Sequence, residues 1–225
     1  MVASLLLAAS LAAAPPALET ARDLQDRAAL AKLLAEAAAA AARAPKDARA
    51  QYEAALAASY FAEVALELRD RKQAQQASEE GIRFAERAVA LQPASGEFYR
   101  LLGTLCGQVI PANPIVGALN YGKRAREAIG KAVELDPRSP AAYLARGVGN
   151  YYLPPALGGG TELAIADFRR AIELDARNAE AYLWLGLGLR KAGRNGEARQ
   201  ALEKSLAINP RRVWVKQQLE KTPPQ

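Results

Sequence analysis

The sequence predicts an all-α protein built as a stack of antiparallel helix pairs, and three observations lead there. Alanine and leucine are abundant while β-branched residues are few, and both favoured residues lose little freedom in a helical turn. No stretch alternates apolar and polar residues with the period of two that a half-buried strand requires. A short phrase also recurs along the chain: AVALQP ends at Pro93, AVELDP at Pro137, AIELDA at Ala176 and SLAINP at Pro210. These closing positions lie 44, 39 and 34 residues apart. Similarity at such a period marks units that bury their apolar faces only by stacking on one another.

Taken in order, residues 1–14 form a signal-peptide-like segment. The run from Val2 to Ala14 is apolar and uncharged, ends in Ala12-Ala13-Ala14, and is followed by the helix-breaking Pro15-Pro16. It is too short to span a bilayer and carries small residues where a signal peptidase cuts, although no Lys or Arg precedes it. The expectation is export to the periplasm or beyond; the alternative is an Ala-rich opening helix of a cytosolic protein. Residues 15–47 read as a linker and an Ala-rich helix from Leu24 to Arg43, ended by Pro45. Residues 48–93 read as a degenerate helix pair with Tyr52, Gly81 and Ala88 as its clearest markers. Residues 94–210 hold three units, the first two with expanded segments between their helices. Residues 211–225 supply a capping helix and tail, which a stack needs because its last apolar face would otherwise meet water.

The final unit carries Tyr182, Leu185, Gly186 and Leu189 on its first helix, then Ala198, Leu202 and Ser205 on its second, with Pro210 closing it. Small residues at Gly186 and Ala198 allow close helix approach, and Gly193-Arg194-Asn195-Gly196 makes the turn. Tyr143, Gly147, Ala164, Phe168 and Ala171 repeat the pattern one unit earlier, and Tyr99, Leu102, Gly103, Cys106, Ala125, Ile129 and Ala132 one unit before that. From about Ala48 to Pro210 the chain resembles the tetratricopeptide repeat (TPR) superfamily. The resemblance implies a right-handed superhelix whose first helices line a groove, and a protein that works by holding a partner.

Composition removes much chemistry. The chain has no histidine and one cysteine, Cys106, so histidine acid–base catalysis, Ser-His triads, Cys-cluster metal sites and internal disulfides are out of reach. No enzyme activity and no cofactor or metal are expected. Gly158-Gly159-Gly160-Thr161 lacks the preceding strand and following lysine of a phosphate loop and reads as a turn, with Thr161 capping the next helix. The net charge is +6, but acids and bases interleave along the helices. The one basic cluster is Arg211, Arg212 and Lys216 beside Trp214, so no nucleic-acid partner is expected.

Two surfaces remain as candidates. Arg100, Thr104, Leu144, Val148, Tyr151, Tyr152, Leu183, Leu187 and Arg190 should line the groove, an apolar and aromatic channel with a few bases. Leu183 and Leu187 stand where a carboxylate clamp would place polar residues, so that mode of peptide binding is not expected. A capping helix folded into the groove would consume the same surface. The expanded segments 108–121 and 153–160 should emerge at one edge. Their apolar residues, Ile110, Ile115, Leu153 and Leu157 among them, either pack as plugs or form a docking edge.

The string Gly149-Asn150-Tyr151-Tyr152-Leu153-Pro154-Pro155, then Gly158-Gly159, Ala164, Phe168 and Ala171-Ile172-Glu173-Leu174, resembles the T-component of tripartite (TRAP) transporter systems. That resemblance implies a partner such as a solute-binding protein, self-association into a homo-oligomer, or a channel for a small apolar ligand. The function expected is thus a non-catalytic protein-interaction scaffold of the bacterial cell envelope, the alternative being a TRAP-associated accessory protein that carries an apolar ligand.

Overall fold

The computed structural model describes residues 14–112 and 117–224, and the described residues contain helices and turns without strands. Among them eleven α-helices follow one another: α1 (Pro16–Asp23), α2 (Arg27–Arg43), α3 (Ala48–Glu67), α4 (Arg71–Leu91), α5 (Gly96–Val109), α6 (Lys123–Leu135), α7 (Pro140–Tyr152), α8 (Thr161–Leu174), α9 (Ala179–Lys191), α10 (Asn195–Ile208) and α11 (Val213–Glu220). A 3-10 turn (Ile110–Ala112) and a π turn (Ala118–Gly122) lie between α5 and α6, and a second 3-10 turn (Pro155–Leu157) lies between α7 and α8.

The pairs α3/α4, α5/α6, α7/α8 and α9/α10 stack consecutively into the expected right-handed superhelix. Their first helices touch in the series α3, α5, α7, α9 and line its concave side. Two sequence expectations at the N-terminus are corrected. A helix, α1, occupies residues read as linker, and the Ala-rich helix starts at Arg27, where Asp26 accepts a bond from the Ala29 amide and so caps it. The signal-like segment lies outside the described residues except for Ala14, which packs on the N-terminal core.

The recurring phrase has a local mechanism. In the second and third units the residue ahead of the closing position folds back on the chain: Asp136 accepts from the Arg138 amide at 3.1 Å and Asp175 from the Arg177 amide at 3.0 Å. Two residues after each closing position, Ser95, Ser139 and Asn178 cap α5, α7 and α9. Each such cap stabilises its helix by about 1 kcal/mol because it satisfies an amide that has no helical partner. Asn209 repeats the fold-back, accepting from the Arg211 amide at 3.3 Å, but the capping position then holds Arg212, whose side chain makes no cap.

Small residues set the spacing within a unit. A Cβ on Gly147 would lie 2.5 Å from the Phe168 ring, and one on Gly103 would lie 2.5 Å from Ile129 and 3.0 Å from the Ala125 carbonyl oxygen. The helices of these pairs are therefore closer than any larger residue would permit.

Candidate functional site: a concave face closed by its own ends

On the middle of the concave side, α5 presents Arg100 and Thr104. Arg100 binds Glu97 with Nε at 2.7 Å and Nη2 at 2.6 Å, and its Nη1 lies 3.4 Å from the Thr104 hydroxyl. The Tyr52 hydroxyl donates to the same Glu97 at 2.8 Å, and its ring stacks on Phe98 at 5.2 Å. Burial alone would make Arg100 a weaker base, but Glu97 outweighs it and holds the guanidinium charge firmly. Tyr60, nearby, has its phenol pushed up to about 12, chiefly by burial.

Further along, Leu144, Val148 and Tyr151 lie half-buried against the core formed by α8 and α9. Tyr151, Tyr152, Trp184 and Trp214 form a chain of edge-to-face rings with centroids 5.0 to 6.1 Å apart, the arrangement their quadrupoles favour. Lys191 Nζ sits 4.3 Å from the Tyr151 ring centre and donates to the Tyr151 carbonyl oxygen at 2.5 Å. Tyr152 remains 63% exposed.

The groove expected to be open at its C-terminal end is filled. Leu183 and Leu187 are buried and pack with Leu202 and Val215, the latter contributed by α11. Arg190 donates to the Gln218 carbonyl oxygen (3.1 Å), the Gln218 side chain (2.9 Å) and the Thr222 hydroxyl (3.1 Å). The capping helix covers these three residues, so the apolar lining expected for a small-ligand channel is core there. The physical reason is simple: a leucine face on the last unit gains more by meeting α11 than by meeting water.

The expanded segments are also placed. Ile110 is half-buried, its turn lies against α4 and α5, and Ile115 lies outside the described residues. Leu153 is half-buried while Leu157 is 60% exposed. The glycine run is a compact turn: Gly158 and Gly160 have φ of 82° and 127°, a Cβ on Gly159 would lie 2.4 Å from the Leu153 carbonyl oxygen, and the Gly160 amide donates to the Asn150 carbonyl oxygen at 2.9 Å. Only glycine tolerates this path. Gly160, not Thr161, stands at the cap position of α8. Below the turn, buried Asp167 receives Arg146 (2.6 Å) and Asn150 (2.9 Å) and ties α7 to α8.

The densest polar structure joins the two ends of the superhelix. Arg212 is 1% exposed and uses all of its donors. Nε donates to Glu180 at 3.0 Å; Nη1 donates to Glu67 at 3.1 Å and to the Arg22 carbonyl oxygen at 3.4 Å; Nη2 donates to Glu67 at 2.5 Å and Glu63 at 2.6 Å. Asp23 Oδ1 lies 3.9 Å from Arg212 Nε and accepts from Arg22 Nη2 at 2.7 Å. Asn209 donates to the other Asp23 oxygen at 2.7 Å. Gln25 and Gln217 face each other at 3.1 Å, and Gln25 also donates to Glu67 at 2.8 Å. A polar-walled cavity of about 460 Å³ opens beside this cluster, between Glu19, Asp175 and Arg211.

The cluster holds the carboxylates of Asp23, Glu63, Glu67 and Glu180 against two guanidinium groups, and its proton affinities reflect that imbalance. Burial pushes the Glu63 carboxyl up to about 7, against the pull of Arg212 and Arg22 and with the help of Glu180 and Glu67. Glu67 is raised for the same first cause. Burial would raise Glu180 as well, but Arg212 and Arg22 hold it below the ordinary carboxylate range. Arg212 would be weakened by burial, and Glu180, Glu63 and Glu67 more than reverse this.

Against known proteins, a family model described as regulator of microtubule dynamics protein 1-3 matches residues 17–153, more than half of the chain. The chain belongs to this family. A second model, described as tetratricopeptide repeat, matches residues 179–212. Among solved structures, TTC0263, a thermophilic TPR protein in Thermus thermophilus, aligns with a TM-score of 0.62 at 20% identity, over 90% of this chain and 98% of that one. The HusA haemophore from Porphyromonas gingivalis aligns at 0.57 and 20% identity, over 87% and 94%. At these identities the likeness is one of fold. No curated protein matches.

In this member of the regulator of microtubule dynamics family, the match covers α1 to α7 and the repeat match covers α9 and α10 through Arg212. Sequence reasoning missed the Arg212 cluster and read that arginine as part of a basic cluster with Arg211 and Lys216 beside Trp214. A signal was present: Arg212 stands where the other units place Ser95, Ser139 and Asn178, and arginine cannot accept an amide bond. What it binds instead is invisible to periodicity, because Glu63 and Glu67 lie 149 and 145 residues away in sequence.

Proposed function

We propose that the chain is a non-catalytic protein-interaction scaffold that binds its partner at the aromatic surface where α7 leads into α8. The observation that carries this reading is the exposed Tyr152 at the end of the four-ring chain, followed on the next turn by exposed Leu157 and, at the start of α8, exposed Leu163. Tyrosine and tryptophan are the usual anchors of protein interfaces, and exposed leucines beside them widen the apolar patch. Stacked repeats of this fold provide extended concave surfaces for that purpose. Affinity capture with the full chain and with a Tyr152→Ala, Leu157→Asp variant tests it. A stoichiometric protein should be recovered with the first and lost with the second; recovery of the same protein by both would reject this surface.

The family's description names microtubule dynamics, so polymerised tubulin is the first partner to assay, by co-sedimentation. The apolar, uncharged opening segment favours the competing reading, a place in the cell envelope, out of reach of microtubules. Fractionation of the native host decides that point: recovery in the cytosol alone would overturn it.

A further inference from the structure

We propose that the row of rings formed by Tyr151, Tyr152, Trp184 and Trp214 is a receptor for a proline-rich peptide in the extended polyproline conformation. This rests on the scaffold reading of the aromatic surface and names the chemistry of its partner.

The first support is an unused set of donors. Tyrosine hydroxyls and tryptophan N–H groups usually find a hydrogen-bond partner when buried, as Tyr52 does by donating to Glu97 at 2.8 Å. Tyr151, Trp184 and Trp214 are half-buried and Tyr152 is exposed. Among the described residues, Gln51 Oε1 is the one polar side-chain atom that is both fully buried and unbonded. The two hydroxyls and two indole N–H groups of the row bond no described residue, so all four face solvent. Burial pushes the Tyr152 phenol up to about 12 and raises that of Tyr151 as well, so both hydroxyls keep the proton they would donate.

The second support is which ligand those groups fit. Aromatic faces edged by donors suit a ligand of apolar rings and bare carbonyl oxygens. Successive prolines present that surface, because proline has no backbone N–H. Aromatic-lined grooves recognise such segments, whose extended helix is formed in advance and costs little entropy to bind. One turn of that helix rises about 9 Å, the length scale of the row Tyr152, Trp184, Trp214 with its steps of 6.1 and 5.7 Å. An acyl chain would leave the four donors unpaired. A cation is disfavoured because Lys191 Nζ already lies 4.3 Å from the Tyr151 ring centre and the Arg212 guanidinium 5.6 Å from that of Trp214. The third support is rigidity. Tyr151, Trp184 and Trp214 pack on the core of Leu183, Leu187, Leu202 and Val215, and Phe168 backs Trp184 at 6.2 Å, so the rings are ordered before a ligand arrives.

The chain has two tryptophans and both stand in the row, so their emission reports binding of an unlabelled peptide directly. Decaproline titrated into the full chain should change that emission saturably, and a Gly-Ser peptide of equal length should not. With fluorescein-labelled decaproline and anisotropy as the readout, Trp184→Phe keeps a ring, loses the N–H and should bind about three- to tenfold more weakly. Tyr152→Ala removes a face and a donor and should bind more weakly still, whereas Tyr143→Phe, on the same helix but outside the row, should leave affinity unchanged. Should Trp184→Phe fail to fold by circular dichroism, Trp214→Phe tests the same loss. Emission unmoved by decaproline, an equal response to the Gly-Ser peptide, or undiminished affinity of the folded tryptophan variant would each overturn the proposal. Capture of a protein through Tyr152 and Leu157 by a chain blind to decaproline would leave the scaffold reading standing and remove this one.

Discussion

Along α3, Ala54, Ala55, Ala57, Ala58, Ala62 and Ala65 are all buried, whereas the core between α7 and α10 is built from Phe168, Leu185, Leu189 and Leu202. The two regions obtain burial in different ways. Helices α3 and α4 are 20 and 21 residues long, and most of the side chains they bury are small, with Tyr52, Leu56, Phe61, Val64 and Ile82 as the larger exceptions. Helices α7 to α10 have 13 or 14 residues and seat a few large side chains over glycines, as Phe168 sits over Gly147. Long interfaces of small residues spread the stabilisation thinly; short ones concentrate it in a few knobs. The difference also follows the family matches, since the alanine-packed region falls inside residues 17–153 and the regular repeat inside 179–212.

This contrast can be broken by substitution. Phe168→Ala should destabilise the chain by about 3–5 kcal/mol, measured by denaturant unfolding, because it removes the knob of the third unit and leaves a cavity. No single Ala→Gly change along α3 should cost more than about 1 kcal/mol; a larger loss would show that the alanine interface is as concentrated as the other. Ala58→Leu tests the reverse direction. Ala58 is fully buried, and its Cβ would lie 2.9 Å from a Cβ built on Gly81, so overpacking should cost about 1–3 kcal/mol.

A smaller effect separates two turns of the same shape. Gln25 and Arg69 both follow a helix in the left-handed conformation, with φ of 55° and 63°. Arg69 is exposed, so Arg69→Gly should raise stability by about 1 kcal/mol through relief of strain. Gln25→Gly should gain less, because it also loses the bonds to Glu67 and Gln217. Thermal unfolding of the two variants side by side checks the order.

The smallest expected effect is on pH. Glu63 keeps its proton up to about 7 in the folded chain, against 4.5 for an ordinary glutamate. The folded state therefore binds the proton across that window and the unfolded state does not, so stability should fall as pH rises from about 5 through about 7. Glu67, also raised by burial, acts in the same direction. Glu63→Gln should flatten the melting temperature across this range, and an unchanged slope would show that Glu63 does not carry it.

Much of the stack could be read from residues alone. Gly103, Gly147 and Gly186 were legible as close approaches because small residues recur at a fixed place in each unit. The glycine run 158–160 was legible as a turn, although its third glycine rather than Thr161 takes the cap position. Of the groove residues, Leu144, Val148 and Tyr151 lie on α7 as read, while Leu183, Leu187 and Arg190 are covered by α11. Helix α1 escaped notice because eight residues with a proline start carry too little periodic signal.

Within the repeated pairs, the sequence by itself therefore determined which segments become helices, how each pairs with its neighbour and where each unit ends. Those features depend on residues three to about twenty positions apart, and capping, fold-back turns and glycine–aromatic contacts write them into every repeat. The tertiary structure decided whether the concave face stays open. That outcome rests on Arg212 meeting Glu63, Glu67 and Glu180 and on Gln25 meeting Gln217, pairs brought together only after the accumulated rotation of the whole superhelix carries the last unit over the first. A small error in rotation per unit would carry the two ends apart, so no local pattern specifies the closure.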